Sequence, residues 1–152
     1  MNADTTTQTN GHAGQTTPLV LQPYVFFYGR CEEALEFYKT ALSGTYEAMR
    51  VKDAPADERM SGLPEDRIMH ASFTAPGVNF LASDGRETKT IDPDEGNIAL
   101  TLAAADRATG ERVFKALSDG GKVNMPMEEA FWGGRFGNLI DRFGIEWMIT
   151  SP

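Results

Sequence analysis

The chain has 152 residues, of which 41% are hydrophobic and 24% charged, a balance typical of one folded domain. Its 14 basic residues against 22 acidic ones give a net charge of -8, which disfavours nucleic acid and anionic membranes as partners. No apolar run reaches the roughly 18 residues of a membrane-spanning helix, and one cysteine, Cys31, cannot form an intrachain disulfide. We therefore expect a cytoplasmic protein.

The N-terminal residues are rich in Thr, Gln, Asn and Gly and nearly free of large apolar side chains. They lack both the basic start and the apolar stretch of a secretory signal. We therefore predict a disordered tail over residues 1–18, followed by a single domain over residues 19–152.

The sequence of the first half of this domain predicts one helix and four strands. The elements are a strand over 19–28, a helix over 31–42, a strand over 45–51 and a hairpin of strands over 68–74 and 78–82. Gly44 is expected to end the helix because glycine readily adopts the left-handed conformation found at helix ends. An exposed loop over 53–66 and a polar linker over 84–96 complete this half.

The second half repeats the same order of elements. They are a strand over 97–103, a helix that ends near 118, a strand over 122–127 and a hairpin over 135–140 and 145–150. Asp106 is the predicted N-cap of the helix, because an aspartate there can accept a hydrogen bond from the first helical turn.

The two halves also match at the ends of their helices, which read FYKTALSG over 37–44 and VFKALSDG over 113–120. An internal repeat of this kind constrains the architecture more than any single element does. We therefore predict an α+β fold of two βαβββ repeats, module one over about 19–84 and module two over about 96–150.

Several motifs resemble the glyoxalase/bleomycin-resistance/dioxygenase group, the vicinal oxygen chelate superfamily, and within it the PhnB-like branch often labelled 3-demethylubiquinone-9 3-methyltransferase. They are Pro23-Tyr24-x-x-Phe27-x-Gly29-x-Cys31, Ile68-Met69-His70-Ala71, Ala82-Ser83-Asp84 and Phe131-Trp132-x-x-x-Phe136-Gly137-x-x-x-Asp141-x-Phe143-Gly144-x-x-Trp147. The resemblance implies that the two repeats form curved half-barrels around a cavity. It also implies a homodimer.

Metal-dependent members of this superfamily hold a divalent ion with His and Glu from the first and last strands of each repeat. The matching positions here are Gln22 or Pro23, Leu81, Asn97 and Met148. None of these side chains is an imidazole or a carboxylate, the usual ligands of such ions. We therefore predict that the usual metal site is absent and assign no cofactor. A divalent metal is the alternative, since a shift of one residue in the alignment would bring in Glu146.

His70 is the only histidine outside the tail. It is the candidate catalytic residue, and it could instead ligate a metal with Glu146 or Glu128. A hydrogen-bonded structural imidazole is the plainer alternative. We favour contact with a bound small molecule, because the resemblance places His70 beside the cavity.

An aromatic wall for a flat or apolar ligand is a further prediction. With His70, its expected cavity residues are Phe131, Trp132, Trp147, Asn97 and Gln22. The alternative is that the rings fill the core, which we prefer for Phe136 and Phe143. Trp132 lies beside Gly133-Gly134, so we expect it to form part of a lid.

Two functions fit these patterns. The first is metal-free binding of a small organic molecule in the cavity. The second is an enzyme of the lyase, isomerase or dioxygenase type, with a non-standard metal or acid/base set centred on His70. Methyl transfer is disfavoured because no Gly-rich turn for S-adenosylmethionine follows the first strand.

Overall fold

The computed structural model describes residues 18–59 and 61–152, so the predicted tail falls almost wholly outside the described residues. The elements are β1 (Tyr24–Phe26), α1 (Cys31–Leu42), β2 (Thr45–Arg50), β3 (Ile68–Ala75), β4 (Val78–Ser83), β5 (Leu100–Ala103), α2 (Arg107–Ser118), β6 (Lys122–Glu129), β7 (Arg135–Ile140) and β8 (Glu146–Ser151). The predicted α+β fold of two βαβββ repeats is confirmed. No helix in the described residues is long and apolar enough to cross a bilayer.

The two repeats build sheets of the same topology. The strand order is β1-β4-β3-β2 in one sheet and β5-β8-β7-β6 in the other. The first strand of each repeat is parallel to the last, and the remaining neighbours are antiparallel. Within the described residues no strand of one sheet pairs with a strand of the other, so both sheets are open.

The first strand of each repeat is shorter than predicted. β1 begins at Tyr24 rather than at residue 19, and β5 begins at Leu100 rather than at residue 97. β4 pairs with residues 24–26, and its backbone hydrogen bonds to this segment extend only to Pro23 and Phe27. Leu21 lies beyond these hydrogen bonds and is 98% exposed, so its apolar side chain does not bring that part of the chain into the sheet.

The end of α1 differs from the prediction in one residue. Ser43 takes the left-handed conformation, with φ 55°, and its N–H donates to the Lys39 carbonyl. Gly44 is needed for space, because a Cβ there would lie 2.8 Å from the carbonyl oxygen of Thr74. In α2 the predicted cap is confirmed, since Asp106 accepts a hydrogen bond from the Thr109 N–H at 2.7 Å.

Aromatic rings join the two modules through α1. The Tyr38 ring lies 5.7 Å from that of Phe80 in module one and 5.7 Å from that of Trp147 in module two. Phe27 and Phe37 contact Phe143 at ring distances of 6.1 and 5.5 Å. Such tilted and edge-to-face pairs add to the energy of apolar burial.

Asp141 places a carboxylate at the centre of this aromatic cluster, where it is 3% exposed. Its Oδ2 accepts hydrogen bonds from the Tyr38 hydroxyl and, at 2.9 Å, from the Trp147 indole N–H. Its Oδ1 accepts the backbone N–H groups of Phe143 and Ile145. Burial raises the pKa of Asp141, and these hydrogen bonds oppose that shift.

The Tyr38 hydroxyl can be tested by its removal. Because Tyr38→Phe leaves a buried carboxylate with one donor fewer, we expect the free energy of unfolding to fall by about 1–3 kcal/mol. The matched control is Tyr46→Phe, since the Tyr46 hydroxyl donates to the exposed carboxylate of Glu36 at 2.6 Å. That change should cost less than about 0.5 kcal/mol. Urea denaturation measures both, and equal losses would contradict the interpretation.

Candidate functional site

Each sheet has one face against the helices and one face turned away from them. In module one, Ala71, Phe73 and Phe80 are buried under α1. Tyr24 pairs with Leu81 across β1 and β4, and their side chains lie on the opposite face because strand residues alternate between faces. We call that surface the open face of module one.

A pocket of about 580 Å³ lies at one end of this open face. Its base is a row of aromatic rings, in which Phe26 lies 5.0 Å from Tyr24 and 6.3 Å from Tyr28. The Tyr24 and Phe26 side chains are 41% and 47% exposed, so they offer ring surface to a ligand. We call this site the aromatic pocket. Its other lining residues are Val51, Leu63, Arg67, Ile68, Met69, Ser83, Gly85, Arg86, Glu87 and Lys89.

Arg67 fixes the loop that forms one wall of the aromatic pocket. Its guanidinium donates to the carbonyl oxygens of Gly85 at 2.8 Å, of Asp84 at 3.1 Å and of Glu87. It also donates to the Thr88 hydroxyl at 3.1 Å. Several hydrogen bonds from one planar group hold the loop in a single arrangement.

Two further basic side chains, Arg86 and Lys89, line the pocket from the same loop. The Lys89 ammonium lies 4.4 Å from the centre of the Tyr28 ring, within cation–π distance. It also lies 3.6 Å from the Glu87 carboxylate. The pocket therefore combines an aromatic base with a basic rim.

His70 is half-buried on β3 and reaches the pocket through Tyr24. The Tyr24 hydroxyl lies 3.2 Å from His70 Nδ1, and the two rings are 5.7 Å apart. His70 is not itself a lining residue of the pocket. The structure thus pairs the candidate catalytic residue with a phenol.

The residues predicted at the metal-ligand positions of the first strands, Gln22 or Pro23 and Asn97, lie outside those strands. Tyr24 lies opposite Leu81, and Thr101 lies opposite Met148. Gln22 and Asn97 are exposed residues that precede β1 and β5, because these strands begin later than predicted. Leu81 and Met148 lie on β4 and β8 as predicted, and their strand partners are Tyr24 and Thr101.

Glu146 belongs to a different polar group on the second sheet. Its carboxylate accepts a hydrogen bond from the Asn138 amide at 2.9 Å, and Asn138 accepts one from Asn124 at 3.0 Å. Among residues 18–59 and 61–152, no group of three or more His, Cys, Asp or Glu side chains is placed to hold a metal ion. The structure does not unite Glu146 with His70 in such a group.

Phe131 and Trp132 lie in the turn after β6, where they are 97% and 62% exposed. They border a smaller pocket of about 230 Å³ together with Met125 and Phe136. The turn is tight, since a Cβ on Gly134 would lie 2.6 Å from the Ser151 carbonyl oxygen. Both rings border this smaller pocket, and neither lines the aromatic pocket.

Trp147 is a core residue rather than part of a cavity wall, which corrects the prediction. Its side chain is 2% exposed and donates its N–H to Asp141. Phe143 is also buried, as predicted, whereas Phe136 is half-buried between the core and the smaller pocket.

The aromatic pocket is not predicted above from the sequence, although part of its pattern is visible there. Tyr24 and Phe26 are two residues apart on one strand, so their rings lie on the same face. Tyr28 follows in the turn after β1, and its ring lies 6.3 Å from that of Phe26. Arg86 and Lys89 were assigned to a polar linker. Only the folded chain shows that this segment borders the rings.

Comparison with known proteins agrees with the motifs. A family model described as 3-demethylubiquinone-9 3-methyltransferase matches residues 20–150. The structure of protein PA1353 from Pseudomonas aeruginosa is 36% identical, with a TM-score of 0.73 over 88% of this chain and 97% of that chain. The PhnB protein from Bacillus cereus is 25% identical, with a TM-score of 0.70 over 88% of this chain and 100% of that chain.

The same fold also occurs in proteins with lower sequence identity to this chain. A glyoxalase/bleomycin resistance protein/dioxygenase superfamily member from Sphaerobacter thermophilus is 18% identical and has a TM-score of 0.54 over 88% of this chain and 98% of that chain. At this identity the likeness concerns the fold alone. From the family match, the strand topology and these neighbours together, the chain belongs to the PhnB-like, 3-demethylubiquinone-9 3-methyltransferase-like family with a glyoxalase/bleomycin-resistance fold.

Proposed function

We propose that this protein binds a small organic molecule in the aromatic pocket, without the divalent metal usual in this fold. The observation that carries the proposal is the row of rings from Tyr24 to Tyr28 at the base of a cavity of about 580 Å³. Ligand sites are typically concave and mostly apolar, with a few polar groups that orient the ligand. The aromatic pocket has that composition.

The side chains on the strand pairs nearest the predicted metal positions favour binding over metal chemistry. Tyr24 and Thr101 offer hydroxyl groups, and Leu81 and Met148 offer no oxygen or nitrogen donor. A divalent ion needs several donors, normally including imidazole or carboxylate. The donor set on these strands does not fit such an ion.

The ring of Phe26 provides the first test of binding. Its truncation in Phe26→Ala removes the middle ring of the row, so we expect the affinity for 2-naphthalenemethanol to fall by about tenfold or more. Isothermal titration calorimetry measures the change. The matched control is Phe131→Ala, because Phe131 is 97% exposed and lies at the smaller pocket. Equal effects of the two variants, or no binding by the unaltered protein, would refute this assignment.

An acid/base enzyme centred on His70 is the second candidate function. The contact of 3.2 Å between the Tyr24 hydroxyl and His70 Nδ1 favours it, because a phenol and an imidazole in contact can pass a proton to or from a ligand. This pair borders the aromatic pocket through Tyr24. The same cavity would then hold a substrate rather than a ligand that leaves unchanged.

Metal content separates the two candidates when a metal takes part. We expect protein purified without added ions to hold far less than one equivalent of zinc, nickel or manganese. Elemental analysis of the unaltered protein and of His70→Ala measures this. A near-stoichiometric metal that is lost in His70→Ala would favour the enzyme over metal-free binding.

We also propose that the protein is a homodimer. Apolar side chains remain uncovered on both modules of one chain, with Met49 39%, Met125 53% and Trp132 62% exposed. Isolated proteins rarely leave large contiguous apolar patches in water. A second copy of the chain could cover these surfaces.

The oligomeric state tests the homodimer. Light scattering coupled to size-exclusion chromatography should give twice the mass of one chain. We expect Met125→Asp to shift the population toward single chains, because it places a charge on an apolar contact surface. Ala108→Asp, an exposed change on α2, should leave the mass unaltered. A single-chain mass for the unaltered protein would contradict the homodimer.

A further inference from the structure

We infer that the ligand of the aromatic pocket is a planar aromatic anion, such as an aromatic carboxylate, held by Arg86 and Lys89. This inference rests on the proposed binding function and adds the chemical class of the ligand. The rings of Tyr24, Phe26 and Tyr28 would contact the planar part. The two basic side chains would meet its negative charge.

The charge around the pocket is opposite to that of the whole chain. The chain carries a net charge of -8, yet the lining residues include three basic groups, Arg67, Arg86 and Lys89, against one acidic group, Glu87. A concave surface of one sign concentrates ligands of the other sign. The local excess of positive charge therefore favours an anion.

The three basic groups have different partners. The Arg67 guanidinium is occupied by the loop carbonyls, and Lys89 lies between Glu87 and the Tyr28 ring. Within the part of the chain that the structure describes, Arg86 has neither an ion pair nor a side-chain hydrogen bond. Its guanidinium has the donor geometry for a bidentate contact with a carboxylate.

The arrangement of the loop lowers the cost of binding. Arg67 holds the carbonyls on both sides of Arg86, those of Gly85 and Glu87. The backbone that carries Arg86 is therefore already ordered before a ligand arrives, and less conformational entropy is lost on binding.

A cationic ligand is the main competing class, because aromatic faces attract cations. Here the Tyr28 face is already taken by the Lys89 ammonium at 4.4 Å. A second cation would also approach Arg86 and Lys89, both of like charge. A neutral aromatic ligand would use the rings but leave Arg86 without a partner.

Three probes of matched shape test the inference: 2-naphthoate, 2-naphthalenemethanol and 2-naphthylmethylamine. Isothermal titration calorimetry on the full chain should give a dissociation constant for 2-naphthoate about five- to tenfold lower than for the alcohol, as expected for a partly exposed charge pair. The amine should bind more weakly than the alcohol. The preference for the acid should shrink as salt rises.

Variants assign that preference to its side chain. Arg86→Gln should remove most of the advantage of 2-naphthoate over the alcohol, Arg86→Lys should keep part of it, and binding of the alcohol should not change. Arg112→Gln is the matched control, because Arg112 is an exposed arginine on α2 in module two, outside the aromatic pocket. A fall in 2-naphthoate affinity in the control equal to that in Arg86→Gln would overturn the assignment.

The outcomes separate this inference from the proposed function. Equal affinity for the acid and the alcohol, with loss of both in Phe26→Ala, would overturn the anion and keep the aromatic pocket. Absence of binding by all three probes would count against both. A preference for the acid that Arg86→Gln leaves intact would also overturn the role of Arg86.

Discussion

The hydrogen bonds that converge on Asp141 hold the two modules in their relative position. The carboxylate belongs to module two, and the Tyr38 hydroxyl comes from the helix of module one. Leaving this anion without partners in an apolar site would cost several kcal/mol. The packing of the modules that supplies these donors is therefore strongly favoured in energy. Because α1 must bring Tyr38 to Asp141, the helix side of the first sheet faces inward. The opposite face, with Tyr24 and His70, is turned away from α1.

The two modules share their topology but not their local chemistry. In module one, Asp84 at the end of β4 is buried and accepts the backbone N–H groups of Cys31 and Ile68, at 2.9 and 2.7 Å. It ties the start of α1 to the start of β3. In module two, Asp106 caps its own helix from an exposed position. The buried aspartate in module one orders the chain just before Gly85, where the wall of the aromatic pocket begins, and this contributes to the asymmetry between the modules.

Much of the fold could be predicted from local patterns, and the site could not. The bounds of α1, the cap at Asp106 and the strand at residues 135–140 follow from periodicity and capping chemistry, which act within a few residues. The start of β1 depends on which residues β4 pairs with, a long-range property that an apolar run from Leu19 does not reveal. The expected cavity residues Gln22 and Asn97 came from the resemblance to the family, and both precede the strands on which they were expected. Trp147 was misplaced because an apolar residue in an alternating strand can face either side of the sheet.

The chemistry of the paired strands is consistent with where the proposed site lies. Leu81 and Met148, at the middle of the two strand pairs, offer no charged donor, so the strand pairs there offer packing surface. The polar groups of module one gather instead at the end of the sheet, where Arg67 orders the loop that carries Arg86. At this end of the first sheet the scaffold positions aromatic rings and a guanidinium. Recognition by planar contact and charge needs only this loop and the first strand, which is why we place it in module one.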